Sequence, residues 1–182
     1  MTQEQKAFIE RVGALAAADM KKSGVLASLT IAQAILESGW GKSGLTVKAN
    51  ALFGIKEGKS GKGRVYSTKT QECYDGVNFT TVTALFRAYD SWEESVEDHS
   101  ALLTGAARYK AVVGERDYKT ACRAIKAAGY ATDPNYPDKL IQIIESYGLT
   151  AYDGAGQAGA GGGSKISRLG RNAPQTRKER AK

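Results

Sequence analysis

The sequence predicts an α+β fold in which helices dominate and a small β-hairpin interrupts them. Three observations lead there. Apolar residues recur at helical spacing in five segments, several of those segments open on capping or proline start signals, and an Asp-Gly pair stands between two short strand-like runs. At 182 residues the chain is long enough for one domain with a sizeable core and too short for two.

Residues 3–20 read as the first helix, with Thr2 and Gln5 as a capping box and Phe8, Val12 and Leu15 on one face. Ser23-Gly24 interrupts it. Residues 25–37 read as a second helix, apolar nearly all round except for Gln33, and therefore central; Gly39 and Gly41 end it. Residues 42–70 are rich in Gly, Ser and Lys around the short run Ala51–Ile55, and Glu57 through Gly63 reads as a surface loop. Residues 71–74 and 77–80 flank Asp75-Gly76, a hairpin signal of the two-residue type I′ kind, in which both central positions need positive φ. Helices resume at Ser91, where Ser91 and Glu94 make a second capping pattern. They continue over 118–128 and from Pro137 to just before Gly148. After residue 150 the composition changes. Seven of residues 151–182 are glycine and large apolar side chains nearly vanish, so the domain is expected over 1–150 and a Gly-rich linker with a basic tail over 151–182.

The net charge of +7 is unevenly placed: seven Lys and Arg against two acidic residues put +5 in residues 151–182. A nearly balanced body with a basic tail argues against a specific nucleic-acid surface. One histidine and two cysteines, Cys73 and Cys122, exclude the usual cysteine-histidine zinc sites, and the two cysteines are expected to be reduced. No apolar run approaches the ~20 residues that span a bilayer, and the polar start Met-Thr-Gln-Glu-Gln-Lys does not resemble a signal peptide.

Candidate chemistry centres on Glu37. It ends the apolar helix beside Leu36, with Trp40 close by and no cationic neighbour. A carboxylic acid in a poorly hydrated site holds its proton to higher pH, as a general acid must. The same spacing also fits a glutamate emerging into solvent. A second carboxylate would come from Glu57, Glu72 or Asp75; Glu72, on a strand beside the turn, is best placed to face Glu37 across a cleft. Trp40, Phe53, Tyr74, Tyr130 and Tyr136 fall in loops or at element ends, where aromatic faces stack on sugar rings. His99, Tyr89 and Trp92 are assigned to packing.

The run from Ser28 to Gly41, containing Ala32-Gln33-Ala34-Ile35-Leu36-Glu37-Ser38-Gly39-Trp40-Gly41, resembles the catalytic signature of the glucosaminidase family of peptidoglycan hydrolases. Further similar stretches follow in family order: 50–56, 70–76, 86–95 with Asp98-His99, and 128–136. The resemblance implies a lysozyme-like fold and cleavage of the β-1,4 bond after N-acetylglucosamine in bacterial peptidoglycan, with no cofactor or metal. It implies Glu37 as general acid, Glu72 as second carboxylate and Tyr130 as a catalytic-site tyrosine for substrate positioning or stabilisation, and it adds Asn50 to the substrate-contacting residues Trp40, Phe53, Tyr74 and Tyr136. Cys73 stands where many relatives carry tyrosine. A muramidase, a lytic transglycosylase or a non-catalytic wall-binding or phage structural module are the alternatives. The expected partner is the peptidoglycan glycan strand, met by a monomer whose basic tail contacts anionic wall polymer. Without a leader, the chain is expected to reach the wall through phage-driven lysis, as part of a virion or by non-standard export.

Overall fold

Helix start signals and apolar periodicity account for most of the backbone. The structure, a computed structural model, describes residues 1–58, 63–73 and 79–154, and at 70–73 and 79–82 the backbone alone. Among the described residues there are seven α-helices and one two-stranded antiparallel sheet. α1 (Gln3–Ser23) starts on the predicted capping box: Thr2 Oγ accepts from the Gln5 amide, and the Gln5 side chain accepts from the Thr2 amide. Its inward face buries Phe8, Ile9, Val12 and Ala16.

α2 (Ala27–Ser38) is the central helix, buried at every position from Ala27 through Ile35. Leu26, its N-cap residue, has no side chain that can cap. The missing acceptor comes from 125 residues further along the chain: Asp153 Oδ1 accepts from the Ser28 amide at 2.8 Å. Asp153 belongs to α7 (Ala151–Gly154), a short helix in contact with α1 and α2. α7 lies just past the domain end expected at residue 150, and composition cannot reveal a cap delivered through tertiary contact. The rest of the tail, 155–182, lies outside the described residues.

Inside the stretch read as irregular lies α3 (Gly44–Ala49), capped by Ser43, whose Oγ accepts from the Thr46 amide. The strands are longer than the hairpin signal suggested: β1 (Arg64–Cys73) pairs with β2 (Phe79–Ala88) from Arg64 opposite Ala88 to Cys73 opposite Phe79. Asp75-Gly76 and the turn expected there lie outside the described residues, and five residues separate the last pair. α4 (Trp92–Gly105) starts on Ser91, followed by a 3₁₀ turn (Ala107–Tyr109). α5 (Tyr118–Ala127) and α6 (Tyr136–Tyr147) complete the helical body.

The core is one cluster reaching from Phe8 to Leu149 through α2. Burial of this apolar surface, at ~25 cal/mol per Å², is the main stabilising term. Cys122 is free and buried in it, its thiol pushed up to about 12 by desolvation. No helix among the described residues is long and apolar enough to cross a membrane.

Candidate active site

α2 ends abruptly, and that ending positions Glu37. Gly39, Trp40 and Gly41 take positive φ in succession, 55°, 63° and 77°. Ser38 Oγ braces the turn, donating to Ala34 O and accepting from the Gly41 amide at 2.8 Å. At Gly41 a Cβ would stand 2.9 Å from the Phe8 ring, so the close approach as well as the φ requires glycine. Trp40 tolerates its left-handed backbone because its ring packs edge-on against Phe8 and Tyr147, at 5.9 and 5.0 Å between centroids.

Glu37 faces a groove of about 790 Å³. Its walls are the end of α2, the segment 53–56, Leu102 of α4, Arg108 and Tyr109, the loop 129–133, and Tyr136 and Lys139 of α6. The groove side leaves Glu37 exposed by surface area, while protein surrounds its carboxyl elsewhere. Lost hydration raises its pKa above the ordinary glutamate value, and a hydrogen bond from Tyr136 pulls in the opposite direction. That bond runs from the Tyr136 hydroxyl to Glu37 Oε1 at 2.7 Å. Behind it, Gln33 Nε2 donates to the Tyr136 oxygen at 3.1 Å. Tyr136 is buried, and desolvation followed by the nearby Glu37 charge pushes its own pKa up, so it stays a protonated donor.

Tyr130 stands on the same wall. α5 ends at Ala127; Gly129, with φ 80°, turns the chain, and the Tyr130 amide returns to Ile125 O. Lys126 Nζ pins the loop by donating to Ala131 O and Thr132 O at 2.9 and 2.8 Å. The Tyr130 ring lies parallel to Tyr136, 6.0 Å away, and edge-on to His99. His99 is fully buried and stacked 4.0 Å from Phe53, with neither ring nitrogen hydrogen-bonded among the described residues; burial pushes its pKa down to about 3 and keeps it neutral.

The floor is held by backbone. Glu57 N donates to Leu85 O and Arg87 N to Ile55 O, both at 2.9 Å, so 55–57 runs beside β2. Arg87 Nη1 spans both Asp98 oxygens at 2.8 and 2.9 Å, and the Tyr89 hydroxyl donates to the same carboxylate at 2.6 Å. This cluster ties the base of the hairpin to α4.

The structure thus brings Glu37, Phe53, Tyr130 and Tyr136 to one groove. Trp40 is not among its lining residues and packs into the body. Asn50 caps α3 at φ 52° and donates to Tyr89 O and Asp90 O, joining α3 to the end of β2. Glu72 lies on β1 opposite Thr80, with its side chain outside the described residues, as Tyr74 is entirely. Gln33 escaped the sequence reading as a site residue. Its signal was an amide in an otherwise apolar helix, one turn before Glu37 and so on the same face. Arg108, Asp133 and Lys139 also line the groove, Lys139 bridging Asp133 at 2.6 Å. No group of histidine, cysteine, aspartate and glutamate among the described residues could hold a metal ion.

Comparison with known proteins places this geometry. Residues 13–149 match the glucosaminidase family model, described as mannosyl-glycoprotein endo-beta-N-acetylglucosaminidase. The chain is 43% identical over 155 residues to exo-glucosaminidase LytG of Bacillus subtilis, covering 82% of this chain and 54% of that protein. It is 39% identical over 165 residues to a "Probable N-acetylmuramidase" of Lactococcus lactis, covering 87% and 37%. The chain therefore spans about half or less of the length of these curated relatives. Among solved structures, the catalytic domain of the autolysin Auto from Listeria monocytogenes superposes with a TM-score of 0.75 at 35% identity, covering 84% of this chain and 89% of that one.

Proposed function

This chain belongs to the glucosaminidase family, and from that premise we propose that it hydrolyses the β-1,4 bond between N-acetylglucosamine and N-acetylmuramic acid within bacterial peptidoglycan. The observation that carries the proposal is Glu37: a carboxyl with raised pKa at a helix end, opening onto a groove and held at one oxygen by a buried tyrosine. A group of this kind arrives protonated and delivers its proton to the leaving oxygen.

In this reading Glu37 protonates the glycosidic oxygen as the C1–O bond breaks, and the Tyr136 hydroxyl stabilises the carboxylate left behind. Tyr130 positions the sugar, with Phe53 in the wall beside it. Two routes complete the reaction. Water activated by Glu72 attacks C1 and inverts its configuration, or the substrate's acetamido oxygen attacks first and water then opens the cyclic intermediate with net retention. The configuration of the first-formed product separates the two.

Mass spectrometry of digested peptidoglycan tests the proposal. Fragments with reducing-end N-acetylglucosamine support it; reducing-end N-acetylmuramic acid supports a muramidase, the reading favoured by the Lactococcus lactis relative's name; anhydro-muramic ends support a lytic transglycosylase. Release of no fragment from walls the protein sediments with supports a binding module. The same reading has the chain acting as a monomer. Residues 155–182 then form a basic extension in contact with anionic wall polymer, and truncation there should weaken wall binding while leaving hydrolysis of soluble glycan intact.

A further inference from the structure

We infer that Gln33 is a positioning residue for the acid: through Tyr136, it directs the phenolic hydrogen to Glu37 Oε1 and leaves Oε2 for the substrate. The inference rests on Glu37 being the proton donor.

Three observations carry it. Gln33 lies one turn before Glu37 on α2 and is fully buried, where a side chain of this polarity is otherwise unfavourable. Its Nε2 sits 3.1 Å from the Tyr136 oxygen, which in turn sits 2.7 Å from Glu37 Oε1. The other end of the amide, Oε1, is buried with no hydrogen-bond partner among the described residues. Among the described residues, Tyr136 is the one hydrogen-bond partner of this amide, reached through Nε2.

The phenol has one hydrogen and two close neighbours. An amide N–H pointing at its oxygen leaves that hydrogen a single acceptor, the carboxylate. As Glu37 gives up its proton, negative charge grows on the carboxyl, the Tyr136 bond strengthens, and the polarised phenol oxygen accepts more strongly from Gln33. The chain of two bonds therefore favours the transition state over the resting acid. A buried amide oxygen without a partner lowers stability, so Gln33 is poorly explained as a packing residue.

The test uses Gln33→Met, close in length with neither donor nor acceptor, beside Tyr136→Phe, the double variant and Glu37→Gln, on soluble uncross-linked glycan strands. Gln33→Met should keep or raise the Tm, lower kcat about 5- to 10-fold with KM unchanged, and move the alkaline limb of the kcat profile to higher pH, because a weaker Tyr136 bond to the carboxylate favours its protonated form. Tyr130 and the charged groups lining the same groove, Lys56, Arg108, Asp133 and Lys139, are the same in every variant. Tyr136→Phe should lower kcat more, about 10- to 100-fold. Adding Gln33→Met to Tyr136→Phe should cost nothing further, since Gln33 acts only through the hydroxyl.

Multiplying losses in the double variant, or a Gln33→Met enzyme with lowered Tm and an unmoved alkaline limb, overturns the inference. Full activity of Glu37→Gln overturns the underlying reading instead. An inactive Glu37→Gln beside an unaffected Gln33→Met overturns only the role of Gln33.

Discussion

The helical wall of the groove and the β1–β2 hairpin are unlike regions of the molecule. On the helical side, Glu37, Gln33 and Tyr136 are carried by α2 and α6, which pack against each other in the main core, and every polar group that touches the acid is buried or half-buried. On the hairpin side, Phe86 is the one buried residue among the described side chains of β1 and β2, and Val65 and Leu85 are exposed. A two-stranded ribbon is marginal alone, and this one depends on its base: the 55–57 segment, and the Arg87–Asp98–Tyr89 cluster on α4. The difference teaches that Glu37 is held in place by core packing, whereas the strand bearing Glu72 is placed by a few polar contacts at one end.

The largest expected effect breaks the symmetry of the two carboxylates. Glu37→Gln should lower peptidoglycan hydrolysis by about 10³-fold or more, with unchanged circular dichroism. Glu72→Gln should lose less, and initial rates on one wall preparation compare them directly. Equal losses would mean that the chemistry depends on the hairpin side as much as on the helical side.

Asp98→Asn comes next. Removing the charge that holds Arg87 and Tyr89 should cost about 1.5–3 kcal/mol. Hydrogen exchange should accelerate at the Arg87 and Tyr89 amides while α2 stays protected. Uniform acceleration would show that the two sides unfold together.

His99, buried behind the groove against Phe53 and Tyr130, supplies a pH test of the packing there. Its folded pKa, about 3, lies below the unfolded value near 6.5, so the unfolded chain binds the extra proton. Stability is undiminished above pH 6.5 and falls as pH drops through the window toward 3, by about 1.4 kcal/mol per pH unit. Denaturant unfolding at several pH values should show that slope, and His99→Leu should reduce it. Glu37 works in the opposite sense: its raised folded pKa favours the native state at low pH, a contribution lost as pH rises through that value.

The smallest effect concerns the end of the domain. Asp153→Ala removes the cap of α2 and should cost about 1 kcal/mol in thermal unfolding without altering KM. A wild-type Tm in that variant would return residues 151–154 to the linker.

Much of the fold was legible because its signals are short-range. Thr2 with Gln5 and Ser91 with Glu94 announce helix starts within one turn, Gly39 and Gly41 announce the end of α2, and the apolar run before Glu37 announces burial. The hairpin was legible in existence and not in extent, because Ser, Thr and Lys along β1 carry little hydrophobic alternation and ladder pairing holds them extended. α3 was hidden by its length, six residues starting on glycine. At the site, the motif pointed to Glu37, but contacts spanning 99 and 103 residues made Tyr136 its hydrogen-bond donor and Gln33 the partner of that donor.

By itself, then, the sequence determined the helices with local caps, the central place of α2 and the glutamate at its end, since each follows from neighbours within a few positions. Tertiary structure alone decided that Trp40 packs inward, that Asn50 joins α3 to β2, that Asp153 caps α2, and that a buried tyrosine, itself bonded by a buried amide, meets Glu37. Those outcomes depend on which helices pack together and at what distance, a property of the whole core that no local pattern encodes.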